Sequence, residues 1–343
     1  MIKLRKVKRN TGILWQEAFN VVIVSSLNYL DLPNVYCHCI LPTGRILISS
    51  SSGVWYSDDN GVNWTQSNKT DGNWYALCVT PTGRIIAGSG SGSGIWYSDD
   101  NGVHWTQSNK TDRSWFVLCV TSTGRIIAGG YNRGIGIWYS DDNGETWVQS
   151  NKTDGNWYAL CVTPTGRIIA GSGSGIGIWY SDDNGVNWTQ LDAFGNKYCN
   201  SICVDNTGNI FVALDGNGGV KYSSDNGATW SSIFSWYNWY NLCCTSNNTI
   251  FVRSNNNVGI WKVNLSEVPS NNHLTGATLN WNSNDVKYLG IFNEDRLCAI
   301  DTTFMYYSDP LIETEYASKY LDQNGAQELI TQFQAYCNSL VGA

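Results

Sequence analysis

The side chains most able to do chemistry in this 343-residue chain are few and far apart. Glutamate occurs only at positions 17, 145, 267, 294, 313, 315 and 328, and histidine only at 38, 104 and 273. Catalysis by proton transfer or nucleophilic attack needs a nucleophile, a base and an orienting group within hydrogen-bond reach. The sequence assembles no such set, and no Cys and His residues stand at metal-ligand spacing. We therefore predict no catalytic residue, no metal and no cofactor.

A second set of polar and aromatic residues is repeated and suits binding instead. Residues 68–75, 109–116 and 151–158 are nearly identical loops, and residues 236–240 form a fourth aromatic stretch. Aromatic faces cover the apolar faces of sugars, while Asn and Asp bond sugar hydroxyls, so we predict carbohydrate binding here. The candidate ligand-binding residues are Asn73, Trp74, Tyr75, Trp115, Phe116, Asn156, Trp157, Tyr158, Trp236 and Trp239. The alternative is that the tryptophans at 74, 115, 157 and 239, which share one strand position, are packed in the interior.

These loops belong to a unit that recurs every 41 or 42 residues. Within one unit, residues 74–80 and 84–88 read as two strands joined by a Pro-Thr-Gly turn, and residues 95–98 and 105–107 read as two more. Four short strands in about 40 residues are typical of a β-propeller blade. The unit contains a core of Ser-x-Asp-x-Gly-x-x-Trp. Its five copies are Ser57, Asp59, Gly61, Trp64; Ser98, Asp100, Gly102, Trp105; Ser140, Asp142, Gly144, Trp147; Ser181, Asp183, Gly185, Trp188; and Ser223, Asp225, Gly227, Trp230.

This core resembles the Asp-box, also called the BNR repeat, of sialidases and other β-propellers, and the resemblance spans residues 35–232. It implies that the boxes lie on the rim away from the ligand face, so their residues are structural. The Gly is expected to adopt a positive φ in a hairpin, and the Ser and Asp side chains to bond the turn backbone.

The resemblance to sialidases also implies a test for glycoside hydrolysis. Those enzymes need three convergent arginines, a Tyr and Glu pair and an acidic Asp. Here Arg45, Arg84, Arg125 and Arg167 each follow the Gly of the first inter-strand turn, which spreads them around the Asp-box side. We expect that they do not converge on one substrate carboxylate.

The turn between the first and second strands sets the number of blades. Its markers are Gly44, Gly83, Gly124, Gly166, Gly208, Asn248 and Asp295. The last box breaks off at Pro310, and Gly12 to Trp15 repeats the missing Gly-to-Trp spacing. We predict an all-β, seven-bladed β-propeller with four-stranded blades, closed by the N-terminal strand, with a C-terminal α-helical tail. The expected divisions are a basic arm at 1–10, the propeller at 11–310 and the tail at 311–343.

Composition and charge exclude several classes of protein. The net charge is -7, so the chain has no overall field to attract nucleic acid. No apolar run is long enough for membrane insertion, and Trp15, Gln16 and Glu17 interrupt what would be a signal-peptide core. Of the 11 cysteines, six stand five residues before a turn marker, which favours packing as free thiols over disulfides. These six are Cys39, Cys78, Cys119, Cys161, Cys203 and Cys243.

The apolar pattern of the C-terminal tail predicts an amphipathic helix, and we expect this helix to bind a partner. Its apolar stripe consists of Leu329, Ile330, Phe333, Cys337 and Leu340. Residues 320–329 resemble short terminal segments of bacteriophage tail and fibre proteins, which implies a virion protein made in the host cytoplasm. The expected partners are then a host cell-surface glycan on the propeller face, and other virion proteins or a second copy on the helix. A divergent sialidase-like hydrolase and a bacterial protein-interaction propeller are the alternatives.

Overall fold

The computed structural model describes residues 21–22, 34–59, 61, 63–132, 135–216, 218–234, 239–245, 248, 250–254, 260–263, 278–279, 286–292, 296–301 and 305–308. Within these ranges the fold is all-β apart from one turn of 3-10 helix, Asp192–Phe194. The basic arm, residues 12–16 and the predicted tail helix lie outside the described residues, so the predictions for them stand as predictions.

The described strands form seven four-stranded antiparallel sheets. Six sheets follow chain order, and the seventh pairs the earliest strand with the latest one. The sheets are β2 (Val35–Ile40), β3 (Ile46–Ser50), β4 (Gly53–Ser57), β5 (Thr65–Gln66); β6 (Trp74–Val79), β7 (Ile85–Ser89), β8 (Ile95–Ser98), β9 (Thr106–Gln107); β10 (Ser114–Val120), β11 (Ile126–Tyr131), β12 (Ile137–Ser140), β13 (Val148–Gln149); β14 (Trp157–Val162), β15 (Ile168–Ser172), β16 (Ile178–Ser181), β17 (Thr189–Gln190); β18 (Cys199–Val204), β19 (Ile210–Leu214), β20 (Gly219–Ser223), β21 (Ser231–Phe234); β22 (Trp239–Cys244), β23 (Ile250–Ser254), β24 (Ile260–Val263), β25 (Thr278–Leu279); and β26 (Val286–Phe292), β27 (Arg296–Asp301), β28 (Met305–Ser308), β1 (Val21–Val22).

The first long strand of each sheet is its inner strand, and inner strands touch one another in sequence. Each inner strand contacts the next one in the series β2, β6, β10, β14, β18, β22 and β26, and β26 also contacts β2. In the last sheet, Val21 lies opposite Ser308 and Val22 opposite Tyr307. An N-terminal segment therefore does pair with the final strand, at Val21–Val22. The pairing that the sequence predicts at Gly12 to Trp15 lies outside the described residues and stays a prediction.

The second strands of five sheets, β3, β7, β11, β15 and β19, are buried along all or almost all of their length. In β7, Ile85, Ile86 and Ala87 are all completely buried. A strand with one solvated face would alternate in polarity, whereas a strand covered on both faces is apolar throughout. The sheets are thus covered on both sides, and the hydrophobic core is repeated between neighbouring sheets.

Each Ser-x-Asp-x-Gly-x-x-Trp core forms the hairpin between the third and fourth strands. In the fifth copy, Ser223 Oγ accepts a hydrogen bond from Gly227 N at 2.8 Å and donates to Asp225 Oδ1 at 2.7 Å. The Gly has a φ of +86° there, which a residue with a side chain rarely adopts. All five Ser residues accept a bond from the Gly of their own copy. The predicted contacts with the turn backbone are therefore present in every copy.

The four repeated arginines join neighbouring sheets on the hairpin side. Arg125 forms two hydrogen bonds with Asp141 of its own sheet, at 2.6 and 2.8 Å, and donates from Nη1 to Asn184 O of the next sheet at 3.0 Å. Its guanidinium also lies 4.3 Å from the Tyr139 ring centroid. The equivalent arginines 45, 84 and 167 donate in the same way to the carbonyls of residues 101, 143 and 226. These arginines are structural links, and each is occupied by its own aspartate.

We expect Arg125→Ala to lower the free energy of unfolding by about 1.5–3 kcal/mol, because it removes charged hydrogen bonds including the one that crosses between sheets. Asp141→Ala is the matched control, since Asp141 is exposed and its loss leaves the Asn184 contact in place; it should cost roughly 1 kcal/mol or less. Urea denaturation measures both. Equal losses would mean that the bond between sheets adds nothing.

The Asp-box carboxylates should make the fold sensitive to acid. Hydrogen bonds from the Thr229 hydroxyl and backbone N–H, and from Ser223, lower the pKa of Asp225 from its ordinary 3.8 to about 2. A carboxyl whose folded pKa is depressed stabilises the fold above its unfolded pKa, and this contribution is lost as the pH falls towards 2. Thr229→Val removes the hydroxyl donor alone. We expect its destabilisation, measured as a melting-temperature difference, to be full at pH 6 and to shrink between pH 4 and pH 2.

Nine cysteines whose side chains the structure describes are free thiols. Each of the six predicted equivalents lies in an inner strand. Cys78, for example, is paired with Ile86 and Cys119 with Ile127. Burial raises the pKa of Cys119 and of Cys199 to about 12, so these thiols stay protonated at neutral pH.

We expect an aromatic disulfide reagent at pH 8 to react slowly with the native protein, because thiolates are the reactive form and burial suppresses them. In denaturant the titration should rise towards the 11 cysteines of the chain. Fewer thiols in denaturant without reductant than with it would reveal disulfides and overturn the assignment.

Candidate functional site

The tryptophans predicted to bind a ligand lie in the core instead. Trp74, Trp115 and Trp157 are completely buried, and Trp239 is 1% exposed. Each of the first three donates its indole N–H to a loop aspartate carbonyl, for example Trp115 Nε1 to Asp112 O at 3.0 Å. The prediction of a ligand-binding role for these four was wrong, because their indoles pack between sheets and offer no face to a ligand. The alternative of interior packing is the correct one. Trp236 lies outside the described residues.

The residue after each of these tryptophans has the opposite orientation. The inner strands carry a register shift that passes over residues 36, 75, 116, 158, 200, 240 and 287. Such a β-bulge leaves one residue unpaired in the ladder and redirects its side chain. Five of these seven bulge residues are aromatic. The bulges lie at the start of the inner strands, whereas the Asp-box hairpins lie near the turns where those strands end.

Four bulge residues and one neighbour form a continuous aromatic row that crosses four sheets. The ring centroids of Tyr36 and Tyr75 are 4.2 Å apart, and those of Tyr75 and Phe116 are 4.1 Å apart. Phe116 stacks on Tyr131 at 4.3 Å, and Tyr131 lies 5.9 Å from Tyr158. All five side chains are half-buried. We call residues 36, 75, 116, 131 and 158 the aromatic row.

Glycines make room for the row at two equivalent positions. A side chain at Gly90 would collide with the Tyr75 ring, and one at Gly173 would collide with the Tyr158 ring. In the sheet between these two, the corresponding position holds Tyr131, whose ring inserts into the row. The absence of a Cβ at residues 90 and 173 is therefore what lets the rings lie close over the backbone.

The hydroxyl groups give the row a polar edge. Burial, followed by a hydrogen bond with Tyr36, raises the pKa of Tyr75 to about 12. Burial, followed by the neighbouring Tyr131, with which it shares a hydrogen bond, raises the pKa of Tyr158 to about 12. Both phenols remain neutral at physiological pH and serve as donors and acceptors. Because stacking occupies many of the ring faces, the row presents chiefly ring edges and hydroxyls.

The loop residues around the row support it more than they face a ligand. Asn73 N donates to Ser91 Oγ at 2.7 Å, and Asn156 Oδ1 accepts from Asn132 N at 3.0 Å. Lys69 is almost fully buried, with its Nζ 3.5 Å from the Trp96 ring centroid and 3.0 Å from Asp71 Oδ1. Lys110 and Lys152 repeat this arrangement against Trp138 and Trp179. The charged residues of these loops are thus paired with one another.

Of the predicted site residues, the structure brings together Tyr75, Phe116 and Tyr158. Sequence reasoning missed Tyr36 and Tyr131. The signal for Tyr36 was present, because it stands one residue after Val35, at the position corresponding to Trp74 in the next sheet. Tyr131 had no such signal, since its equivalents in the neighbouring sheets are glycines. No group of three His, Cys, Asp or Glu residues suited to a metal ion occurs among the described residues. The same part of the chain contains no helix that is long and apolar enough to cross a membrane.

Comparison with known proteins supports the repeat and the fold. The family model described as BNR/Asp-box repeat matches residues 138–149. Among curated proteins, no sequence matches the chain.

Several solved structures are similar in fold. Virginiamycin B lyase from Staphylococcus aureus has a TM-score of 0.67 at 11% identity, with 87% of this chain and 100% of that chain covered. The extracellular domain of BT4673 from B. thetaiotaomicron has a TM-score of 0.64 at 12% identity, with 86% of this chain covered but only 40% of that chain. The GH74 enzyme of Niastella koreensis has a TM-score of 0.60 at 15% identity, with 82% and 43% covered. At these identities the likeness establishes a propeller-like all-β fold alone.

Proposed function

We propose that this chain is a non-enzymatic, carbohydrate-binding β-propeller whose ligand site is the aromatic row. The proposed architecture is a ring of seven blades, closed through the pairing of Val21–Val22 with the last strand. Closure would remove the exposed sheet edges that invite aggregation, and contact between the inner strands β26 and β2 favours it.

The observation that carries the binding proposal is the alignment of the bulges. Placing an unpaired residue at the same point of adjacent inner strands is costly in ladder hydrogen bonds, and β-bulges commonly direct side chains into functional sites. Here they build an amphipathic surface of Tyr36, Tyr75, Phe116 and Tyr158, joined by Tyr131. Neutral phenol hydroxyls can bond sugar hydroxyls, and the ring carbons beside them can cover a sugar's apolar patches.

The hydrolase alternative requires the pair of carboxylates that most glycosidases use. Asp71, Asp112 and Asp154, the carboxylates of the three repeated loops beside the row, each form an ion pair with a lysine of their own loop. The repeated arginines are held by aspartates on the hairpin side. Among the described residues, the three repeated loops therefore provide no pair of free carboxylates to the row.

Replacing single residues of the row should weaken glycan binding while leaving the fold intact. On an array of bacterial surface polysaccharides, we expect Phe116→Ala and Tyr158→Ala each to weaken binding at least tenfold, which corresponds to about 1.4 kcal/mol. Tyr158→Phe keeps the stack and separates the role of the hydroxyl from that of the ring. Tyr198, which is 49% exposed and outside the row, is the matched control, and Tyr198→Ala should bind normally.

Binding that survives Phe116→Ala and Tyr158→Ala in a folded protein would remove the row as the site. Release of reducing sugar from any bound glycan would favour the hydrolase.

For the biological setting, we keep the proposal made from the sequence. The chain is proposed to be a bacteriophage virion protein for host attachment, anchored through residues 311–343. Its support is the resemblance of residues 320–329 to phage tail and fibre segments. Neighbouring genes for capsid, portal or baseplate proteins would support the virion setting, and neighbouring genes for sugar transporters and hydrolases would count against it.

A further inference from the structure

The sheet β18 to β21 differs from the three preceding sheets at three positions. In those sheets, the side chains at the three positions lie together. In the preceding three sheets, a tryptophan of the third strand lies opposite a glutamine of the fourth, as Trp179 does opposite Gln190. A lysine three residues after the preceding sheet's glutamine then covers that tryptophan. In this sheet the three positions are Lys221, Ser232 and Ala193. Lys221 thus stands in place of the tryptophan, Ser232 in place of the glutamine and Ala193 in place of the lysine. Each of the three side chains is smaller than the one it replaces.

A cavity of about 460 Å³ lies at these positions, which a tryptophan and its covering lysine occupy in the three preceding sheets. The 3-10 turn Asp192–Phe194 forms one side, and the Phe194 ring meets the Trp230 ring edge to face with centroids 4.8 Å apart. Leu214 completes the apolar wall, while Thr229 and Ser232 add hydroxyls. A volume of this size accommodates a small organic molecule.

Two amines line the same cavity. Lys221 Nζ donates to Ser232 Oγ at 2.6 Å, and Lys197 is close enough to act on it electrostatically. Burial, together with the charge of Lys197, lowers the pKa of Lys221. The described residues provide neither lysine with an ion-pair partner, in contrast to the buried lysines of the other loops, each of which has its aspartate. Two like charges beside one cavity attract a negatively charged occupant.

We propose that this cavity is a second binding site, separate from the aromatic row, for a small organic oxyanion attached to an apolar ring. Its carboxylate, sulfate or phosphate group would lie between the two lysine amines, and its ring against Phe194 and Trp230. The site involves no bond-breaking step, and it does not depend on the glycan proposal.

Isothermal titration calorimetry at low ionic strength tests the site with phenyl phosphate, phenyl sulfate and benzoate, since salt screens such contacts. Benzyl alcohol tests the need for charge, and inorganic phosphate tests the need for the ring. We expect at least one aromatic anion to bind the full chain, and both partial probes to bind at least tenfold more weakly. The preferred anion then identifies the oxyanion class.

Two variants locate the binding. Lys221→Met should weaken it at least tenfold, and the double variant Ala193→Lys with Lys221→Trp should abolish it by restoring the filled arrangement of the neighbouring sheets. Arg113→Ala removes the same charge from an exposed position of another loop and should change nothing. Thermal melting checks that each variant is folded, and the double variant keeps the test valid if Lys221→Met unfolds.

The proposal is overturned if none of the three aromatic anions binds at millimolar concentration. It is also overturned if binding is equal in the wild type and in the folded double variant.

Discussion

Burial of both faces of the sheets whose side chains the structure describes is the constraint on which this fold depends. The second strands, such as β7 and β15, have completely buried side chains pointing both ways, so no sheet can be stable without a neighbour on each side. Repetition satisfies this requirement economically, because one sequence unit provides two complementary faces. Hydrogen bonds such as that from Arg125 to Asn184 then join each of the first four sheets to the next.

The same constraint decides which aromatic residues are available for binding. In the inner strand β14, the side chain of Trp157 points between sheets and is completely buried. Its neighbour Tyr158 is at a bulge and leaves the ladder. A β-bulge of one residue therefore separates a buried ring from an accessible one. Because the bulge recurs in neighbouring sheets, the accessible rings together form the aromatic row.

Departures from the repeat are as informative as the repeat itself. Tyr131 stands where the neighbouring sheets have a glycine and joins the aromatic row. Lys221, Ser232 and Ala193 together line a cavity at positions that larger side chains occupy in the three preceding sheets. A single substitution in a repeat is easily neutral drift. Three substitutions at positions that meet in space change one volume together, and the outcome is a charged cavity with an aromatic wall.

Much of the fold was predictable from the sequence, because strand alternation, turn glycines and the Ser-Asp-Gly-Trp spacing are local properties. The period of 41 or 42 residues implied four strands per unit, and the equivalent cysteines located the inner strands. The site was predictable only in part. Alternation identifies Trp74 and Tyr75 as facing opposite ways, but cannot tell which way is inside when both faces of a sheet are covered. The packing of neighbouring sheets decided that Trp74 is buried, that Tyr36 and Tyr131 join the row, and that Lys197 faces Lys221, since each of these contacts joins residues that are distant in the chain or carry no local pattern.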